Sequence, residues 1–287
     1  MKSICLFSSY FNQPDIPYYV RVYLENIIPY FSETIFITNE KELSEESHYF
    51  LNLNNISILK VENEGWDFGM WYKAIIQLDT TQYQQIALVN DSCILFKPLD
   101  EFMNWSRKDT SDLQGITMSY AITPHIQSYF LIINKKAIQP TVDYFNLHKL
   151  LPHVSDVIKI YEVGLSNYLI SKGLTIGAFI DNNGYQGEFS PYYHCVDYHI
   201  SKGIPVIKKK IIFESYRKDE LFTLARMNFN ISVPYYIDLI KKSTPNLVVD
   251  FHKLKSDKAE NLSWFSKIKY RLSIFFINTI RFFRKKN

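Results

Sequence analysis

Ile86-Ala87-Leu88-Val89-Asn90-Asp91-Ser92 is the stretch on which the reading of this chain turns. Four apolar, strand-forming residues run straight into one acid flanked by two small polar residues. Such a run predicts a buried strand whose end reaches the rim of a sheet, where α/β proteins bind their ligands. A carboxylate in that place is held rigidly. Hard cations such as Mg²⁺ or Mn²⁺ prefer oxygen ligands and share them with phosphates, so Asp91 is a candidate for that chemistry.

Working outward, the N-terminal side alternates between strand and helix signals. Residues 3–8 read as a strand, 9–17 as a polar, Pro-containing loop, and 18–31 as a helix in which Val20, Tyr23, Leu24, Ile27, Ile28 and Phe31 recur at three and four. Residues 34–38 and 56–61 read as strands, 62–69 as a loop with two glycines and three acids, and 70–78 as a helix. The order strand–helix–strand–strand–helix–strand, with apolar runs fit for burial on both faces, predicts an α/β fold with a mainly parallel sheet. Beyond Ser92, residues 114–119, 128–133 and 174–180 read as strands, and 135–147 and 161–171 as helices, with Gly173 suited to a C-terminal cap. Residues 181–190 are a polar, Gly-rich loop, 194–203 a short helix, 204–213 strand-like, and 214–263 mixed helix and linker.

The chain's 287 residues suffice for one large α/β domain with a tail. The three cysteines, Cys5, Cys93 and Cys195, are widely spaced and imply no disulfide framework, which favours a reducing compartment. No run approaches the roughly 20 apolar residues that span a bilayer, and the short N-terminal apolar run reads as a first strand rather than a signal peptide. The net charge of +3 is unevenly placed. Residues 264–287 carry seven basic side chains and no acid, leaving 25 basic against 29 acidic elsewhere. Nothing in that balance suggests a nucleic-acid groove.

Several residues can carry chemistry, and each has a bland reading beside the functional one. Asp67, in Asn63-Glu64-Gly65-Trp66-Asp67-Phe68-Gly69, can cap the following helix or accept hydrogen bonds from a ribose or base, with Gly65 letting the ligand approach. His125 and Gln127 can bind sugar hydroxyls or form a satisfied polar turn. Tyr161-Glu162 opens a predicted helix, where the macrodipole favours an acid in any case, and where a fixed carboxylate can also take a proton from an attacking hydroxyl. His194 can complete a metal shell or contact phosphates, or be structural. Lys208, Lys209 and Lys210 can face a diphosphate or form a solvated run. Phosphate-loop, dinucleotide and nucleophile-elbow motifs and paired zinc histidines are missing.

Five blocks in order carry a resemblance over roughly residues 1–213: Glu62-Asn63-Glu64-Gly65-Trp66-Asp67-Phe68-Gly69, Val89-Asn90-Asp91-Ser92, His125-Ile126-Gln127-Ser128-Tyr129-Phe130, Tyr161-Glu162-Val163-Gly164-Leu165-Ser166 and Lys202-Gly203-Ile204-Pro205-Val206-Ile207-Lys208-Lys209. The sequence resembles the rhamnan synthesis protein F family of bacterial polysaccharide glycosyltransferases. The resemblance implies a GT-A-like, Rossmann-like α/β domain over 1–213. It places Asn90-Asp91-Ser92 at the family's Asp-x-Asp position, with one acid surviving. It implies a divalent cation (Mg²⁺ or Mn²⁺) at Asp91, a nucleotide-sugar donor, an acceptor-binding C-terminal half and Glu162 as the base of an inverting transfer. With the residue readings above, the expected sites are His194 beside Asp91 for the metal, Gly65, Asp67, Asn90, Asp91 and Lys208 for the donor, and His125, Gln127 and Tyr161 for the acceptor glycan. Two positions depart from the family: Trp66 stands where many members have Arg, and Val206 replaces a Phe.

Residues 264–287 read as a basic amphipathic helix, with Trp264, Phe265, Ile268, Leu272, Phe275, Phe276, Ile280 and Phe283 at helical spacings. Such a helix lies in an anionic membrane surface; docking on the domain or a partner is the bland reading. The expectation is a peripheral protein on the inner face of the bacterial cytoplasmic membrane, transferring a sugar such as L-rhamnose to a surface-polysaccharide or lipopolysaccharide precursor that is a glycan or lipid-linked glycan. The competing expectations are an inactive glycosyltransferase-like scaffold and a sugar-phosphate or nucleotidyl transferase.

Overall fold

A computed structural model describes residues 2–39, 42–120, 122–183 and 196–209. The extension at 214–263, the tail at 264–287 and His194 lie outside the described residues.

Four strands build the first half: β1 (Ser3–Ser9), β2 (Glu33–Asn39), β3 (Ser57–Val61) and β4 (Gln85–Asn90). They pair in parallel in the order β3-β2-β1-β4. Helices α1 (Tyr18–Ile27), α2 (Glu45–Leu53) and α3 (Trp66–Ile75) connect them. The sheet continues through β8 (Phe130–Asn134), antiparallel to β4, and β6 (Leu113–Ser119), antiparallel to β8. Strand β7 (His125–Ile126) pairs antiparallel and β9 (Ile176–Ile180) parallel with β6. Six of the eight strands therefore run one way, and β7 and β8 run against them. This is the Rossmann-like α/β architecture expected from the sequence.

Alternation along the strands sorts the core into two layers, because successive side chains of a strand point to opposite faces. Cys5, Phe7, Ala87 and Val89 pack with α1 and α4 (Asp100–Lys108) on one face. Ile4, Leu6, Ile86 and Leu88 pack with α3, α5 (Lys135–His148) and α7 (Gly164–Ser171) on the other. A short turn, α6 (Val154–Asp156), precedes a π-helical stretch, Val157–Val163, that runs into α7. Strand β5 (Cys93–Leu95) pairs antiparallel with β10 (Val206–Lys208), which follows α8 (Val196–Ser201). Among the described residues no helix is long and apolar enough to cross a membrane.

Three local expectations are corrected. Helix α3 begins at Trp66, within the expected loop, because Gly65 adopts a left-handed φ of 72° and its carbonyl accepts from the Gly69 N–H at 2.9 Å. A Cβ on Gly69 would lie 1.8 Å from the Glu64 carbonyl oxygen, so this turn closes only with glycine there. Glu162 does not open a helix. It lies inside the π-helical stretch, where the Gly164 N–H reaches back five residues to the Lys159 carbonyl. The Tyr144 hydroxyl donates to the carbonyl of Ile160 at 2.7 Å, and a Cβ on Gly164 would lie 2.4 Å from that hydroxyl. Helices α2 and α4, in turn, form where no element was expected. Ser44 caps α2 by accepting from the Ser47 N–H, with Glu45 and Glu46 in its first turn.

Candidate functional site

The strand order places a topological switch point at β1. The chain leaves its carboxyl end toward β2 on one side, and β4 returns on the other. Ligands of open α/β sheets bind in the crevice outside such a point. Both strands end in polar residues there, Ser8-Ser9 and Asn90-Asp91, and alternation divides them into two groups.

Ser8 and Asn90 face α3. The Ser8 hydroxyl donates to Asp67 Oδ1 at 3.2 Å and the Asn90 amide to Oδ2 at 2.9 Å. Both Asp67 oxygens are thus spent on the ends of the two strands. Burial, and next the negative charge of Asp91, push the Asp67 carboxyl up to about 7, against the lowering effect of the Ser8 hydroxyl, Lys209 and Lys208. Asn90 also turns its Oδ1 to the Ser92 N–H (3.1 Å) and hydroxyl (2.6 Å), which holds Asn90-Asp91-Ser92 as a tight turn.

Ser9 and Asp91 face α1. Asp91 is buried, and three donors meet at its Oδ2: the Ser9 hydroxyl at 3.0 Å, the Tyr19 hydroxyl at 2.8 Å and the Lys209 ammonium at 3.2 Å. Lys209 also donates to the Tyr19 hydroxyl at 2.7 Å. It arrives through the β5–β10 pair, where Lys208 sits opposite Cys93 and the Lys209 N–H bonds the Ser92 carbonyl at 2.9 Å. Of the lysine run, Lys209 is the residue on Asp91, while Lys208 lies close enough for its charge to act on Asp67.

Glu162 reaches the same edge from the far side. The amino end of β8 meets the carboxyl end of β4, where the Asn90 N–H bonds the Tyr129 carbonyl at 3.2 Å. Next to Tyr129, the Ser128 N–H (3.3 Å) and hydroxyl both donate to Glu162 Oε2. His125 Nδ1 bonds the Thr123 carbonyl at 2.7 Å, so that nitrogen carries the proton and Nε2 faces Glu162 Oε1 at 3.9 Å. Ser128 thus holds the Glu162 carboxylate, with the His125 ring beside it.

Two expected acceptor residues are taken up by the core instead. Tyr161 is fully buried, stacks on Phe68 with centroids 4.9 Å apart, and gives its hydroxyl to the Lys149 carbonyl. Gln127 is buried, and its side-chain carbonyl accepts from the Thr117 hydroxyl at 3.0 Å. Neither presents a polar group to a surface ligand. Ser8, Ser9, Tyr19 and Ser128 went unread in the sequence. The two serines carried a usable signal, a polar ending on an apolar strand, which is the same signal that marks Asn90-Asp91.

Trp66 is 51% exposed and holds a positive φ of 60°, a strained conformation for a bulky residue. It lines a groove of about 600 Å³ with Glu64, Leu150, Leu151 and Pro152, one residue from Asp67.

The described residues do not by themselves make a site for the divalent cation expected on Asp91 and His194, His194 lying outside them. A metal ion there would compete with an ammonium and two hydroxyls for one oxygen, and both Asp67 oxygens already accept hydrogen bonds. Among the described residues no three of His, Cys, Asp and Glu gather as a metal site.

The fold and this edge define the class: a Rossmann-like α/β domain with carboxylates gathered where parallel strands end. The chain belongs to the rhamnan synthesis protein F family, whose model matches residues 34–267. No curated protein matches it in sequence. Among solved structures it is similar to a cytidylyltransferase from Leptospira borgpetersenii serovar Hardjo-bovis (strain JB197), at 11% identity over 91% of this chain and 100% of that one, with a TM-score of 0.44. It is similar to the glycosyltransferase GlyE of Streptococcus pneumoniae TIGR4, at 11% identity over 93% of this chain and 64% of that one, TM-score 0.41. Glucosyl-3-phosphoglycerate synthase from Mycobacterium tuberculosis is a third, at 9% identity over 51% and 66%, TM-score 0.34.

Proposed function

We propose that this protein is an inverting glycosyltransferase that moves a sugar, L-rhamnose as the leading candidate, from a nucleoside-diphosphate donor to a hydroxyl of a growing surface-polysaccharide or lipopolysaccharide precursor. One observation carries the reading. Asp67, Asp91 and Lys209 meet at the β1–β4 edge, and Glu162 is tied to that edge through Ser128, Tyr129 and Asn90. Family membership supports it.

The donor's nucleoside sits by Asp67, with a ring of the donor or acceptor against Trp66. The acceptor hydroxyl lies at Glu162. In the transfer, the acceptor proton goes to the Glu162 carboxylate, the acceptor oxygen bonds to the anomeric carbon, and the bond from that carbon to the diphosphate breaks with its electron pair on the phosphate oxygen. A positioned base of this kind contributes about 10²–10⁴-fold. Ser128 orients the carboxylate. The acceptor is lipid-linked, and residues 264–287 hold the enzyme at the anionic inner face of the cytoplasmic membrane.

A panel of nucleotide sugars tests this, read as release of nucleoside diphosphate in the presence of membrane acceptor. One donor is expected to be turned over, with Glu162→Gln reducing turnover by about 10²-fold or more and Asp91→Ala abolishing donor binding, both variants remaining folded. Donor binding with no turnover on any acceptor would instead make the chain a glycosyltransferase-like scaffold.

A further inference from the structure

We infer that the Lys209 ammonium is the built-in cation of the donor site, taking the place beside the diphosphate that a divalent metal ion would otherwise hold. The inference rests on the reading that a nucleoside diphosphate binds at the β1–β4 edge, and it deepens that reading by naming what neutralises the diphosphate.

The placement of Lys209 is not that of a wandering surface lysine. Its backbone N–H is bonded to the Ser92 carbonyl at 2.9 Å, directly after the β10 residues that pair with β5, so its Cα is pinned beside the Asn90-Asp91-Ser92 turn. Its Nζ touches Asp91 Oδ2 at 3.2 Å and the Tyr19 hydroxyl at 2.7 Å, and lies 4.9 Å from the centroid of the Tyr19 ring. Tyr19 closes the triangle by donating to the same Asp91 oxygen at 2.8 Å. A carboxylate, a hydroxyl and an aromatic face thus hold one ammonium in one position.

Exposure sets the direction in which that charge acts. The Asp91 side chain is 10% exposed and that of Lys209 26%. Of the pair, the lysine side chain is the more open to solvent, which favours a ligand that meets its positive charge. An ammonium carries three N–H donors. Tyr19 and Asp91 account for two, and a phosphate oxygen is a fitting acceptor for another. Lys208, whose charge is felt at Asp67, adds a second positive group at the same edge.

The crowding of one Asp91 oxygen completes the case. Its Oδ2 is met by three donors from α1, β1 and the segment after β10. To bind there a metal ion would have to displace an ammonium and two hydroxyls from a buried oxygen. In this chain Asp91 is therefore a positioning residue for Lys209, where an Asp-x-Asp pair would be a metal site. As the bond to the sugar breaks, the charge on the leaving diphosphate meets an ammonium already in place, which needs no reorganisation.

Calorimetry on the full chain with UDP, GDP, CDP and dTDP, each in EDTA and each with Mn²⁺, tests the inference. One nucleoside diphosphate is expected to bind with affinities in EDTA and in Mn²⁺ that agree within about twofold. Lys209→Met is expected to weaken that binding by about tenfold or more, and Lys209→Arg, which keeps the charge, to retain most of it. Binding that appears only with Mn²⁺ overturns the inference while leaving the proposed function standing. Equal binding to wild type and a folded Lys209→Met variant overturns it as well. Should Lys209→Met fail to fold, the wild-type comparison of EDTA with Mn²⁺ decides alone. No binding of any nucleoside diphosphate in either condition overturns both readings.

Discussion

Asp67 and Asp91 share one sheet edge, yet their carboxylates are held differently. Asp91 has an ammonium on it, whereas Asp67 has a hydroxyl and an amide and feels Asp91 as a negative neighbour. With its carboxyl pushed up to about 7, Asp67 keeps a proton in the folded chain that the unfolded chain releases near pH 4. Between about pH 4 and about pH 7 the folded state binds more protons than the unfolded state, so this residue makes stability fall as pH rises through that window. Asp67→Asn removes the effect. Urea unfolding at a series of pH values should show the variant gaining on wild type from pH 4 to pH 7; a difference that stays constant with pH would contradict it. At this scale the sequence revealed the acids but not their partners. Nothing local says that Ser8 and Ser9 divide between two carboxylates, or that Tyr161, read as an acceptor contact, is a core ring stacked on Phe68.

Elements show why Glu162 was expected at the opening of a helix and lies instead inside a wide turn. Helical periodicity before α7 continues through the π-helical stretch, and a wider turn does not alter the pattern of residue types enough to be noticed. What makes the wide turn tenable is tertiary. Gly164 leaves room for the Tyr144 hydroxyl, and that hydroxyl satisfies the Ile160 carbonyl. π-Turns of this kind occur often at functional sites, and here the turn carries Glu162. Tyr144→Phe leaves the carbonyl without this donor and is expected to cost about 1–3 kcal/mol, measurable by denaturant unfolding, with a further loss of turnover as Glu162 shifts. A variant as stable and as active as wild type would show that the turn stands without this bond. Elsewhere, β1, β2 and β4 follow the expected strands closely, because apolar alternation and length are local properties. The onset of α3 was missed because a left-handed Gly65 can open a helix as well as end one.

At the scale of the whole molecule, the tail and the domain make separable predictions. Residues 264–287 combine seven basic side chains with an apolar helical spacing, and the chain lacking them is expected to lose binding to vesicles rich in anionic lipid, measured by co-sedimentation. Unchanged sedimentation would assign that segment to the domain or a partner. The amino-acid sequence by itself determined the α/β class, the strands other than the short β5 and β7, the acid at the end of β4 and the family, since these depend on periodicity and short motifs. The tertiary structure alone decided which strand ends meet. Ser8 lies 59 residues from Asp67, Ser9 82 from Asp91, and Lys209 118 from Asp91. Bringing them together takes the return of β4 beside β1 and the pairing of β10 with β5. Sequence leaves the lysine run open between diphosphate contacts and a solvated patch, and only the topology sets Lys209 on Asp91.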